Sequence, residues 1–193
     1  FIGLAETLTA LLGKHHGESG DAQALGLEIV GRIRELSDAR SKKEKLNFSV
    51  IATPAEGLAG RFVKMDRELY GVIDGVTDTE FYTNSYHIPV NFKITAFNKI
   101  RIEAPYHALC NGGHITYIEM DGDPLQNLEA FKSVVQAMKQ MNIGYGAINH
   151  PVDRCPICNY TGVIGDECPR CGVKEDQELT EEEIANIRKH HNH

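Results

Sequence analysis

Four cysteines near the end of the chain, Cys155, Cys158, Cys168 and Cys171, follow the pattern C-x2-C, nine residues, C-x2-C. The segment that carries them, CPICNYTGVIGDECPRCG, is short, rich in turn-forming residues and poor in large apolar side chains. Burial alone cannot hold such a piece together. Zinc prefers four soft or borderline ligands in a tetrahedron, and two tight knuckle turns can deliver four thiolates to it. With sulfur at every position no site stays open for water, so the ion holds structure and performs no chemistry. A redox dithiol pair and an iron–sulfur cluster are the alternatives for the same residues. Paired knuckles on a short loop favour structural zinc over both.

The rest of the chain is of a different kind. Its 193 residues suffice for one main domain and a small appendage. A content of 41% apolar and 24% charged residues is that of a soluble globular protein. No apolar run approaches the roughly 20 residues needed to cross a bilayer. The opening FIGLAETLTALLGKHH has neither the positive flank nor the cleavage site of a signal peptide. It starts without methionine, as a piece of a longer protein would. The net charge of -7 argues against nonspecific binding to a nucleic-acid backbone. Four paired cysteines and one single cysteine suit the reducing cytoplasm better than a disulfide framework.

Helical spacing appears in the first forty residues, with Leu4, Leu8, Leu11 and Leu12 in one stripe and Ala22, Leu25, Ile29, Ile33 and Leu36 in another. The break GKHHGESG divides them, and Ser41 to Lys45 reads as a charged connector. NFSVIA reads as a buried strand. Leu58, Phe62, Met65 and Leu69 then form a helical stripe that Gly71 ends. From Asp74 to Phe97 turns mix with short strand-like pieces such as HIPVNFKI. GGHITYIEM reads as a strand, Leu128 to Met138 as a helix stopped at Asn142 to Gly144, and IGYGAIN as a last strand. Strands alternating with helices predict an α/β arrangement with parallel strands. The expected division is 1–150 as the main domain, 151–173 as the four-cysteine module and 174–193 as a flexible acidic, then basic, tail. Within that tail EEEIANIRK reads as a short exposed helix.

Two further motifs bear on chemistry. Thr53-Pro54-Ala55-Glu56 has the form of a capping box with proline at the first helical position: the Thr53 hydroxyl would accept from the Glu56 N–H, and the glutamate would reach back. A strand-to-helix junction also presents N–H groups and the positive end of a helix dipole, which is a seat for phosphate. A plain capped helix is the competing reading. Cys110, in CNGGH, is a lone cysteine near a histidine, which is more often a small buried side chain than a nucleophile. The nine histidines include no HExxH pair that would mark a histidine metal site.

GKHHGES, ATPAEGLAGRF, YGVIDGVTD, FYTNSYHIPV, APYH with GGHITYIE, and the final CPIC with CPRCG resemble successive segments of the anaerobic (class III) ribonucleoside-triphosphate reductases, in the family's order, over Phe1 to Gly172. The resemblance implies the C-terminal portion of a ten-stranded α/β barrel of the glycyl radical enzyme type, followed by a small zinc-ribbon-like module with Zn2+ on the four cysteines. It implies reduction of ribonucleoside triphosphates by glycyl and thiyl radical chemistry, with formate or a thiol system as reductant. The implied partners are a ribonucleoside triphosphate substrate, a radical-generating iron–sulfur activating enzyme, the remainder of the reductase chain and a second copy in a homodimer. Nucleotide effectors are usual in the family; no nucleic acid or membrane is implied. It supports binding of the substrate's phosphates at Thr53, Ala55, Glu56 and Gly57 through backbone N–H groups, with Glu56 as a capping residue because its charge would repel phosphate.

Two departures accompany it. The family's radical-bearing cysteine belongs to a region N-terminal to this stretch, and Cys110 does not take its role. IANIRKHHNH stands where the family's glycyl-radical segment would begin, and no glycine follows Gly172. This chain alone is therefore expected to be inactive. In the family the four-cysteine module precedes the radical segment, which implies that it positions that segment and does not touch substrate. The alternative is a free-standing zinc-ribbon interaction module on a reductase-derived scaffold.

Overall fold

The first helix, α1 (Leu4–Leu12), begins and ends on glycines in the left-handed region, Gly3 at φ 77° and Gly13 at φ 71°. The computed structural model describes residues 1–52, 54–120, 127–149, 153–162, 164–174 and 177–191, the side chains of Glu56 and His191 excepted. The chain divides into two compact units, Phe1–Ile118 with Glu129–Ala147, and Glu119–Leu128 with Ile148–His193. The first contains α1, α2 (Gly20–Glu44), α3 (Glu56–Tyr70) and α4 (Ala96–His107), and nearly all of α5 (Leu128–Gln140). Strands β1 (Thr116–Glu119) and β2 (Gly146–Asn149) form a two-stranded sheet. Thr116 N–H donates to Tyr145 O at 3.0 Å and Met120 N–H to Asn149 O at 2.9 Å, so the register advances in the same direction along both strands.

The core of the first unit collects Leu4 and Leu8 of α1, Ala22 and Val30 of α2, Val50, Ala52, Tyr86, Tyr106 and Cys110. Tyr86 and Tyr106 lie fully buried with rings stacked at 5.2 Å and 8°. Leu11 and Leu12, expected on the buried stripe of α1, point outward because only Leu4 and Leu8 face α2 and the tyrosines. Ser19 caps α2 by accepting from the Ala22 N–H. A side chain at Gly26 would collide with the Tyr106 hydroxyl and press on Leu8, so glycine sets how closely α2 approaches its neighbours. Gln23 ties α2 to α4 by donating to Ile102 O at 2.8 Å and accepting from the Tyr106 hydroxyl at 3.1 Å.

The segment Ser41 to Glu44 continues α2 and is no connector; Arg40 and Glu44 pair at 3.3 Å across one turn, and Lys45 closes the helix at φ 55°. NFSVIA forms no strand and pairs through one parallel bridge, Ile51 to Gly113, with the Gly112 N–H on Val50 O and the Ala52 N–H on Gly113 O. HIPVNFKI is no strand: it turns at Pro89 to Phe92, and its buried residues His87 and Ile88, with Tyr86 just before them, serve the core from a loop. α4 has no counterpart among the elements expected from sequence. Its buried face is Ile100, Glu103, Tyr106 and His107, a helical spacing written in mixed polar and apolar residues, and Pro105 reads as a stop.

In the second unit β3 (Asp153–Arg154) and β4 (Thr161–Gly162) pair antiparallel, with Asp153 opposite Gly162 and Arg154 opposite Thr161. The segment 174–193, expected as a flexible tail, contains α6 (Glu181–His191). No helix among the described residues is long and apolar enough to cross a membrane.

Candidate metal centre and strand-to-helix junction

The two CxxC segments are the same turn made twice. In the first, Asn159 N–H donates to Cys155 O at 2.9 Å and Cys155 N–H to Tyr160 O at 2.8 Å. In the second, Gly172 N–H donates to Cys168 O at 2.8 Å and Cys168 N–H to Val173 O at 2.9 Å. The residue after each second cysteine takes a left-handed conformation, Asn159 at φ 58° and Gly172 at φ 70°. Asparagine and glycine are the residues that adopt it at least cost. Each turn is flanked by an antiparallel pairing, β3 with β4 around the first and the Glu167–Lys174 bridge around the second.

The four sulfurs converge within 4.8 Å of one another. Cys155 and Cys171 lie 3.7 Å apart at sulfur, as do Cys158 and Cys168. Four Zn–S bonds of about 2.3 Å in a tetrahedron would set the sulfurs about 3.8 Å apart. Cys155, Cys158 and Cys168 are buried, with Ile157, Tyr160, Ile164, Cys171 and Ile187 packed around them. Burial pushes the Cys171 thiol up to about 12, with the neighbouring sulfurs adding to the rise, and burial likewise raises Cys158. Burial opposes ionisation of Cys168 too, but the backbone N–H groups of Cys171 and Arg170 prevail and bring it down to about 7. Four adjacent thiols do not all ionise unless a cation compensates them. The cluster is thus able to hold a metal ion, and all four residues singled out from spacing contribute to it.

The strand-to-helix junction is less complete. α3 begins at Glu56 with Ala55 as its N-cap, and no side chain among the described residues caps it. The expected box, with Thr53 at the N-cap and Pro54 as the first helical residue, therefore does not match the helix start. Thr53 and the Glu56 side chain lie outside the described residues. The reason for the late start is visible: Ala55 N–H donates to Asn84 Oδ1 at 3.1 Å, which holds Ala55 in a non-helical conformation. No sequence motif gives Asn84 a role. The signal that could have found it is the polar run Tyr82-Thr83-Asn84-Ser85 directly before the buried Tyr86, His87 and Ile88.

Ala55 and Leu58 line a cavity of about 680 Å3 together with Gly3, Glu6, Phe62, Asp66 and Tyr82. Glu6 is buried; its Oε1 accepts from the Thr83 N–H at 2.7 Å and hydroxyl at 2.6 Å, while its Oε2 has no partner among the described residues. Tyr82 donates to Asp66 Oδ2 at 2.7 Å, and burial together with that carboxylate pushes its phenol up to about 12. Cys110 is fully buried and burial pushes its thiol up to about 11, the behaviour of a packing residue and not of a nucleophile.

The family model described as anaerobic ribonucleoside-triphosphate reductase matches residues 1–182. The anaerobic ribonucleoside-triphosphate reductase of Salmonella typhimurium is 39% identical over 178 residues, which is 89% of this chain and 25% of that protein. The enzyme of the same name from enterobacteria phage T4 is 37% identical over 160 residues, 80% of this chain and 26% of that protein. Among solved structures, the anaerobic ribonucleotide reductase of Thermotoga maritima with MES in its active site aligns with a TM-score of 0.69 at 22% identity, covering 90% of this chain and 29% of that one. The chain spans about a quarter of the length of the curated relatives it matches. Its place in the sequence family is settled by that match: this chain belongs to the anaerobic ribonucleoside-triphosphate reductases.

Proposed function

We propose that this chain supplies the C-terminal portion of an anaerobic ribonucleoside-triphosphate reductase, an enzyme that reduces ribonucleoside triphosphates to deoxyribonucleotides by radical chemistry. The observation that carries the reading is the family match over residues 1–182. In this reading the short parallel pairings, β1 with β2 and Ile51 with Gly113, are parts of a ten-stranded barrel completed by the remainder of the reductase chain. Glycyl radical formation by an iron–sulfur activating enzyme, homodimer formation and a cytoplasmic location follow from the same reading.

The metal centre carries Zn2+ on Cys155, Cys158, Cys168 and Cys171. Zinc supplies charge compensation and cross-linking there; the protein's own part is the paired knuckle turns, whose backbone N–H groups face the sulfurs. At the other site the first amides of α3 lack intrahelical acceptors, as at every helix start. Thr53, Ala55, Glu56 and Gly57 form the phosphate seat. The Ala55 amide is engaged by Asn84, so the phosphate contacts fall to the Glu56 and Gly57 amides.

Titration of a ribonucleoside triphosphate into the chain, followed by amide NMR, checks the seat. Shifts centred on Gly57 and Leu58 support it, and shifts elsewhere or none count against it. For the enzyme reading, Cys168→Ser in the intact reductase, assayed anaerobically with its activating enzyme, should abolish deoxyribonucleotide formation. Unchanged turnover would contradict the reading.

A further inference from the structure

α6 is only eleven residues long, below the ~12–15 at which an isolated helix is even marginal in water. One support is internal: Thr180 and Glu183 form a capping box, with the Thr180 N–H at 2.8 Å and hydroxyl at 2.7 Å from Glu183 Oε2, and the Glu183 N–H on Thr180 Oγ1 at 3.4 Å. Further support comes from the cysteine module. Arg188 donates from Nε to Ile157 O and from Nη2 to Pro156 O, each at 3.1 Å. Ile187, one residue earlier, packs against the cysteine cluster.

The two carbonyls under Arg188 belong to the residues between Cys155 and Cys158. They stand side by side because the knuckle is closed, its ends tied by Asn159 to Cys155 and Cys155 to Tyr160. A guanidinium edge matches two adjacent carbonyls, whereas an ammonium is a single point donor. The closed knuckle in turn depends on whatever draws four sulfurs together.

We propose that α6 is a metal-dependent latch: Arg188 recognises the closed CPIC knuckle, so metal occupancy decides whether residues 181–191 are a docked helix or unfolded chain. The latch rests on the metal reading of the four cysteines. It converts binding of an ion to the four cysteines into order at a helix that, among the described residues, adds no ligand to them. Glu181, Glu182 and Glu183 at its first turn favour the positive end of the helix dipole and leave docking to Ile187 and Arg188.

Hydrogen exchange on the whole chain, kept reduced, tests it. Removing the metal by chelation should speed exchange of the α6 amides by about tenfold or more. Arg188→Ala in the loaded protein should produce a similar acceleration while one metal per chain and the cobalt(II)–thiolate absorption of the substituted protein are retained. Arg188→Lys should fall between the two. Equal α6 exchange in loaded and stripped protein, or full protection in Arg188→Ala, overturns the latch. Loss of the metal in Arg188→Ala overturns it too, since the arginine would then build the metal site and not read it. A wild-type chain that takes up no metal removes the metal reading, and the latch with it.

Discussion

The two units of this chain are held together by different chemistry. The first closes around stacked Tyr86 and Tyr106 with Leu8, Val30, Ile88 and Ile100, each with no more than a few per cent of its surface exposed. Burial of side chains of that size contributes about 1.5–3 kcal/mol each. Among the described residues of the second unit the buried side chains are cysteines, ringed by half-buried Ile157, Tyr160, Ile164 and Ile187. Such a cluster cannot offset the entropy of ordering its turns. The same cooperative fold is reached through apolar area in one case and through four convergent sulfurs in the other. Each unit should accordingly be vulnerable to what leaves the other untouched.

The sharpest separation is a ligand substitution. Cys168→Ser should unfold the cysteine module and α6 together, because structural zinc contributes folding free energy of roughly 10–16 kcal/mol in comparable small modules. Amide NMR should show residues 153–174 collapsing to unfolded positions with the first unit's resonances in place. Tyr106→Ala is the reverse experiment. It removes the ring stacked on Tyr86, the contact with Gly26 and the bond to Gln23, and should cost the first unit about 3–5 kcal/mol in denaturant unfolding. Metal stoichiometry should not change.

Acid acts on the first unit through its buried ionisable side chains. His16 and His107 are each brought down to about 4, by burial first, with His15 further lowering His16 and His114 further lowering His107. His107 Nδ1 accepts from the Gly144 N–H at 3.1 Å while Nε2 faces Thr116 Oγ1 at 2.9 Å, so a second proton would set two donors against each other. His16 Nε2 faces Tyr86 O at 2.7 Å, and its Nδ1 is buried without a partner among the described residues. The unfolded chain takes these protons near pH 6.5 and the folded chain only near pH 4. Their contribution is therefore complete above about pH 6.5 and falls as pH drops toward 4, by up to about 1.4 kcal/mol per unit for each histidine. Urea unfolding across that range, on protein stripped of metal, should show the slope in the first unit. Glu103 adds a loss at lower pH. Burial alone would raise its pKa, but His87, Lys99 and the Ile88 N–H outweigh burial and hold it below the usual range, so its contribution is present above about pH 4.5 and lost below its folded value.

The smallest effect lies at α6. Thr180→Ala removes the two bonds of the Thr180 hydroxyl and leaves the residue-180 N–H on Glu183 Oε2; it should weaken that helix by about 1 kcal/mol, seen as faster exchange of its amides alone.

What is legible in the sequence follows the same division. Metal-ligand spacing is local and chemically narrow, so spacing alone singles out Cys155, Cys158, Cys168 and Cys171, and the fold brings them together. Long regular stripes are legible too: α3 ends at Gly71 and α5 runs to Gln140, with Asn142 at φ 57° beyond it. α4 is not legible, because its inward face carries Glu103 and His107 among Ile100 and Tyr106 and so shows no apolar period. HIPVNFKI misleads in the opposite sense, since β-branched and aromatic residues are equally suited to a buried loop. The N-cap of α3 is misplaced by its local motif because the residue that delays the helix, Asn84, is 29 positions from Ala55. Alternating strands and helices predict parallel pairing, but which strands pair depends on such distant partners and is not written in local sequence.

Metal on the four cysteines, and not apolar burial, is expected to hold the second unit. The direct test is an amide NMR spectrum of the reduced chain before and after chelation at neutral pH. Resonances of residues 153–174 and 181–191 should collapse while those of Leu8, Val30, Tyr86 and Tyr106 keep their positions. A cysteine module that keeps its dispersed resonances with all four thiols titratable and no metal bound would contradict it.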